Sequence, residues 1–455
     1  EAAFWWSRAI DAHGACSGDL LDHVELLLRQ VRALLDAGDL VGAREARAEA
    51  VRAADRAGAG PELTARALTA LDAPAKWPLR DPYVAVELRL VHRFETCLRM
   101  LPQADSPERA RLLGGLAQEL YDGSGNPLCD SLSAEAVRMA RRLGDPHLLM
   151  GMLNARHLAL PQPLHVGELR DVTDELHALA LKAESPGFEL LAQQLYTNVG
   201  LETFDIGCAD EAAARCDAIL ERLPLPWPRF QHAMWRAVRL TLDGRFGDAG
   251  SMYDEAERHA ERIDMWHAHG LIALGRVMVH YHEGTMADAA QAVAAAAVFH
   301  PLMGRDARIL HLCAQGRTDD ARQLARDGWQ APLREWSWLH ASCLQAAAQA
   351  ALGHVAACRL SYSTLLPYSG RVSAWSGVMC VGPVDWYLAL LADAMGDAGA
   401  ARRHRELVAR LADENGLTWW RDRALAQRDQ EQRDQEQRDQ DGPRRAKRDQ
   451  ENPRR

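Results

Sequence analysis

The sequence predicts an all-α protein, a right-handed superhelical solenoid of antiparallel helix pairs. Three observations carry that expectation. First, a glycine is followed five residues later by a small residue seven times: Gly38–Ala43, Gly207–Ala212, Gly244–Ala249, Gly284–Ala289, Gly316–Ala321, Gly353–Cys358 and Gly396–Ala401. From Gly207 onward the steps are 37, 40, 32, 37 and 43 residues, the range of stacked helix-pair repeats. Glycine ends a helix in the left-handed conformation at little steric cost, and a small residue lets the next helix approach closely. Second, apolar residues between these glycines recur at helical spacing. Third, strand formers are scarce, with six isoleucines in 455 residues, while Ala, Leu and Arg dominate and favour helix.

The elements follow in order. Val24, Leu27, Leu28, Val31, Leu34 and Leu35 form one apolar stripe, and Gly38-Asp39 breaks it before a partner helix over Ala43 to Ala57. Gly58 to Pro61 ends that pair, and a Pro-rich joint containing Trp77 runs from Pro74 to Pro82. Leu90, Phe94, Cys97, Leu98 and Leu101 mark the next helix. Ser106-Pro107-Glu108 reads as N-cap, first position and acidic first turn. A helix from Ser133 to Leu143 stops at Gly144-Asp145-Pro146. A loop at Pro161 to Gly167 divides the array into residues 1–160 and 161–426. Helices over Leu190 to Phe204, Ala212 to Leu223, Arg236 to Leu242 and Ala249 to Ile263 continue it, with a rigid joint expected at Pro224 to Pro228. Residues 427–455 repeat an RDQEQ pattern with nine basic and eight acidic groups. Such a segment buries too little apolar surface to offset its ordering entropy and is expected to be disordered.

Composition narrows the function. The chain is 48% hydrophobic, enough for a large core, and its net charge of −10 argues against a duplex-DNA reader. Nine dispersed cysteines without a C-x-x-C pair read as reduced, mostly buried thiols of a cytoplasmic protein. No apolar run approaches the roughly 18–20 residues that span a bilayer, and no signal peptide is visible. A chain opening on Glu1 reads as the C-terminal part of a longer protein.

Catalytic signatures are missing from the sequence. It contains no P-loop, G-x-S-x-G, H-E-x-x-H or EF-hand pattern, so neither an enzyme nor a bound cofactor is expected. His259, His267, His269, His280 and His282 cluster in sequence, but no third ligand is placed for a metal. They read as polar positions on solvated faces and at helix caps. Asp319-Asp320 reads as the acidic first turn of a helix. The tryptophan pairs at 5–6, 336/338 and 419–420 read as fillers between helix layers. The remaining candidates are polar residues at helical spacing: Gln194 with Asn198, Trp235 with Arg239, and the group Asn154, Arg156 and His157. Asn198 and Trp235 lie 37 residues apart, one repeat, so these side chains are expected either to line a concave groove for an acidic or polar partner segment or to bond helix to helix.

Several strings carry a resemblance. They are Arg109-Ala110-Arg111-Leu112-Leu113, Leu116 to Tyr121, Ser133 to Val137, Ala140 to Pro146, Leu153-Asn154-Ala155-Arg156-His157, Leu366 to Arg371 and Gly382-Pro383-Val384-Asp385. The repeat resembles a loose tetratricopeptide array. The strings resemble the C-terminal helical region of large actinobacterial AAA/STAND-type ATPase regulators, some fused to LuxR-like or bacterial transcriptional-activator domains and some to an adenylate cyclase. The resemblance covers about residues 20–425 and implies a sensor and inter-domain clamp. It implies a protein or peptide segment, or the protein's own upstream ATPase domain, as partner; the charge and the lack of a spanning apolar run set the expectation of no direct nucleic-acid or membrane binding. It supplies no catalytic residue. A free-standing peptide-binding adaptor and, further off, an all-helical hydrolase are the alternatives.

Overall fold

The seven glycine–small pairs mark real helix junctions, with one exception. In a computed structural model, the small member of every pair is buried, from 0% exposed at Ala43, Ala249, Ala321, Cys358 and Ala401 to 3% at Ala212. Six of the glycines adopt positive φ, between +64° and +85°. Gly207 does not; it lies inside a helix, and Phe204 takes the left-handed position at φ +61°. Asp205 then caps the new helix by accepting from the Cys208 amide at 3.1 Å, as Asp39 accepts from Gly42 at 2.8 Å. The counterpart of Ala43 is therefore Ala209, also 0% exposed. Burial of the Phe204 ring offsets the cost of a left-handed non-glycine residue.

The structure describes residues 2–16, 19–78, 86–121, 126–160, 162–223, 225–263, 265, 267–374 and 377–427. Helix covers 78% of it. The order is α1 (Ala2–Ala15), α2 (Leu20–Asp36), α3 (Leu40–Ala57), α4 (Pro61–Leu68), α5 (Leu88–Met100), α6 (Pro107–Glu119), α7 (Pro127–Leu143) and α8 (Pro146–Ala159). Then come α9 (Val166–Lys182), α10 (Pro186–Glu202), α11 (Ile206–Arg222), α12 (Pro226–Leu242), α13 (Phe246–Ala260), α14 (Ala268–Glu283), α15 (Ala290–Phe299) and α16 (Pro301–Ala314). The last are α17 (Thr318–Leu324), α18 (Trp338–Ala351), α19 (Val355–Leu365), α20 (Val384–Ala394) and α21 (Ala398–Glu414), followed by a helical stretch over residues 418–427. The two strands found among the described residues, β1 (Val372–Ser373) and β2 (Gly382–Pro383), pair antiparallel. No helix is long and apolar enough to cross a membrane. The RDQEQ repeat from residue 428 lies outside the described residues.

Sequence neighbours pack on one another throughout, and α6 on α8, α16 on α18 and α18 on α20 add contacts across the intervening element. One apolar cluster runs from Leu201 to Ala424 and takes in Trp77. A second spans Ala110 to Leu195 and joins Leu153 to Leu176, so packing is continuous across the loop at 161–167. The expected joint at Pro224 to Pro228 is instead largely the opening of α12. Pro226 is its first residue, where a missing amide proton costs nothing. Ser106 and Pro107 occupy the expected cap and first position of α6, Ser106 accepting from the Arg109 amide at 3.1 Å.

Candidate functional site

The helices enclose a short hairpin of their own chain. Between α19 and α20 the backbone turns inward and returns as the β1–β2 hairpin, in which Val372, Ser373, Ala374 and Val378–Val381 are all 2% exposed or less. Asp385 secures the entry. Its carboxylate accepts from Ser369 Oγ at 2.7 Å, the Gly370 amide at 2.6 Å and His404 Nδ1 at 2.7 Å. His404 Nε2 in turn bonds the Tyr362 hydroxyl at 2.9 Å. Arg371 reaches across the array, donating to the Pro163 carbonyl at 2.7 Å and to Glu202 of α10 at 2.9 Å. The hairpin carbonyls of Val378, Cys380 and Val381 bond Tyr253 of α13, His282 of α14 and Tyr387 of α20. Buried backbone groups are thereby satisfied by side chains from three helices.

A shorter strap, residues 71–78, crosses the inner side of α8. Asn154 holds it with two bonds to Ala75, accepting from its amide at 2.9 Å and donating to its carbonyl at 2.7 Å. One turn on, His157 Nε2 bonds the Lys76 carbonyl at 3.0 Å. Burial pushes this imidazole down to about 4, so at neutral pH it is uncharged and its Nε2–H is the donor.

The seven polar residues singled out in the sequence do not form one open wall. Asn154, Arg156, His157, Gln194, Asn198 and Trp235 are each 7% exposed or less. Arg156 donates to Glu168, the Asp130 carbonyl and Ser133 at 2.7–2.8 Å, tying α8 to α7 and α9. Gln194 donates to the Pro228 carbonyl at 3.0 Å, joining α10 to α12. Arg239 pairs with Asp210 of α11 at 2.8 Å and with Asp243 at 2.5 Å. Trp235 stacks on His232 and packs under Gly377 of the hairpin. Arg156, Gln194 and Arg239 bond helix to helix, and Asn154 and His157 bond the strap; of the seven, Gln194 lines the open cavity described next. The hairpin, contributed from over a hundred residues further along the chain, packs on α10 and over Trp235.

The inner side is open elsewhere. A cavity of about 550 Å³ lies where the α2–α3 turn, the strap, the first turns of α10 and α12 and the end of α11 converge. Its walls are mostly apolar, including Leu35, Leu40, Trp77, Phe188 and Trp227, with the amides of Gln194 and Gln231 among them. Two ion pairs also line it, Arg32–Asp36 at 3.0 Å and Arg111–Asp72 at 3.5 Å. One charged group there lacks such a partner. Lys76 is 3% exposed, no carboxylate among the described residues bonds it, and burial pushes its ammonium down to about 7. Sequence reasoning passed over Lys76, although a signal was present: it is one of three lysines in the chain, set beside Trp77 in the Pro-rich joint.

The other candidates stay apart. His269 faces Glu257, His280 bonds Thr285 and His282 bonds the hairpin. Asp319 and Asp320 sit in the first turn of α17 and pair with Arg322 and Arg317. Trp338 and Trp420 fill the core, Trp336 stacks on Tyr121, and Trp5 is exposed. No family model matches the chain and no curated protein matches it.

Proposed function

We propose that the chain is the sensing array of a cytoplasmic signal-transduction ATPase, built as a right-handed solenoid of antiparallel helix pairs, and that its ligand binds in the cavity beside the strap. The cavity's position carries this reading: it is walled by α2 and α3 from the early part of the array and by α10 and α12 from the later part. A ligand seated there touches both parts at once and favours one curvature over another. The equilibrium moves only by the difference in affinity between the two curvatures, typically ~1–3 kcal/mol. A β1–β2 hairpin already buried among the helices favours a small molecule over an extended peptide. Transcriptional control is then the output of an effector domain coupled through the ATPase, and the array itself contributes no catalytic group.

The reading frame 5′ of the Glu1 codon tests this. A P-loop ATPase fused in frame supports the reading; an independent start immediately upstream points to a free-standing adaptor. For the fused protein, Ser185→Trp, which puts a bulky ring into the cavity from a partly exposed position without a side-chain cap bond, should change the rate of ATP hydrolysis without unfolding the array. An unchanged rate would remove the cavity from signalling.

A further inference from the structure

We infer that the strap cavity is a site for a small apolar carboxylate, whose anionic head pairs with Lys76 while its hydrocarbon or aromatic body lies against Trp77, Trp227 and Phe188. This names the ligand class of the sensing cavity and rests on that reading for its consequence, though its geometry stands alone. Three observations converge.

The first is an uncompensated cation. Buried lysines are ordinarily paired. Lys76, at 3% exposed, has no hydrogen-bonded or ion-paired side chain among the described residues. The group nearest in charge is the Cys216 thiol, which burial pushes up to about 12 and so keeps neutral. His157, on the Lys76 carbonyl, is neutral as well. The acids of the cavity, Asp36 and Asp72, are engaged by Arg32 and Arg111. Among the described residues that line the cavity, Lys76 is thus the cation without an ion-pair partner, its Nζ lying on the side of Gly377 of the hairpin.

The second is the shape and chemistry of the space. About 550 Å³ with mainly apolar walls and a few polar groups is the format of small-molecule sites. The amides of Gln194 and Gln231 belong to the same lining, Gln194 with one of its donors already on the Pro228 carbonyl. The third is the backbone. The first turns of α10 and α12 both line the cavity, and the positive ends of two helix dipoles add to the preference for negative charge. A phosphate ester would need several donors for its three oxygens; one ammonium with two amides suits a carboxylate.

Binding would return Lys76 to its charged form, so a proton is taken up with the ligand above neutral pH. The test uses the full chain with 4-phenylbutyrate and its uncharged amide as probes. Calorimetry at pH 8.5 should show the acid binding at least tenfold more tightly than the amide, with a heat that varies with the ionisation enthalpy of the buffer. Lys76→Met should abolish that preference. Because the chain has three lysines, ¹⁵N-lysine side-chain spectra give a second readout that needs no variant: the acid should shift the Lys76 signal and leave Lys182 unmoved. Equal binding of acid and amide, a preference that survives Lys76→Met, absence of binding, or an unmoved Lys76 signal would each overturn the assignment. If the acid binds as expected yet ATP hydrolysis of the fused protein does not respond, the site stands and the sensing role falls.

Discussion

Replacing Lys76 by Met should stabilise the protein, and the gain should depend on pH in a defined way. The ordinary lysine value is 10.5, and burial in the fold lowers it to about 7. Between these limits the unfolded chain holds a proton that the folded chain has released, so stability rises with pH across this window. The full penalty is present at and below about pH 7. Each unit is worth about 1.4 kcal/mol, which puts the penalty near neutrality on the order of 5 kcal/mol. Methionine has similar length, no charge and enough flexibility to fit the same space. The gap between Lys76→Met and the parent should therefore be largest at pH 7 and close by about 1.4 kcal/mol per unit toward pH 10. Parallel urea and thermal unfolding curves at pH 7, 8, 9 and 10 measure it. A gap that does not vary with pH, or a variant less stable than the parent at pH 7, would refute the reasoning that Lys76 is buried without a counter-charge.

Further expectations concern the joints and the hairpin. Ala249→Leu and Ala321→Leu insert three extra carbons where exposure is 0% and should each cost about 1–3 kcal/mol, read from melting curves; parent-like melting of both would place these residues outside the helix crossings. Gly244→Ala should destabilise far more than Gly316→Ala. Both have positive φ, but a Cβ at Gly244 would meet Trp419 at 2.3 Å, whereas at Gly316 nothing lies within 4 Å. Arg371→Met leaves Glu202 without its buried partner and should cost about 3–5 kcal/mol. Burial already raises the Glu202 carboxyl to about 7, so the loss should be larger at pH 8 than at pH 5.5, where Glu202 is protonated in the fold; equal losses would contradict the pairing. In gel-shift assays at physiological ionic strength the isolated chain should not bind duplex DNA specifically, and a salt-sensitive shift with a defined operator would contradict this.

The helices and their junctions were legible because they depend on local chemistry. The stripe from Val24 to Leu35, the Ser106 cap and the small residue behind each glycine are all readable within a dozen residues. The junction at Phe204 was not. A buried aromatic in the left-handed position leaves no sequence mark, and the nearby Gly207 drew the phase three residues too far. Helix starts were misjudged where prolines opened them, as at Pro226, since a proline reads equally as a stop or a first turn. The candidate site was legible only in part. Asn154, His157 and Gln194 stand out in the sequence as polar groups within apolar helices, but what they bond is decided by partners 34 to 81 residues away. The hairpin that covers Trp235 is specified by long-range contacts such as Arg371 with Glu202, 169 residues apart, which periodicity cannot encode. Lys76 carries a local mark, a rare lysine beside Trp77 in the Pro-rich joint, but its burial is decided by the helices packed around it.

The claim that organises all of this is that the β1–β2 hairpin is buried among the helices while the strap cavity stays open. Hydrogen exchange over residues 372–374 and 377–382 tests it most directly. These residues are buried, and the Gly377 and Val381 amides donate to the Ala374 and Ser373 carbonyls, so their amides should exchange as slowly as those of the adjoining helix α20. Exchange within seconds, at the rate of an exposed loop, would show that the hairpin is not buried there and would return the inner surface to partner binding.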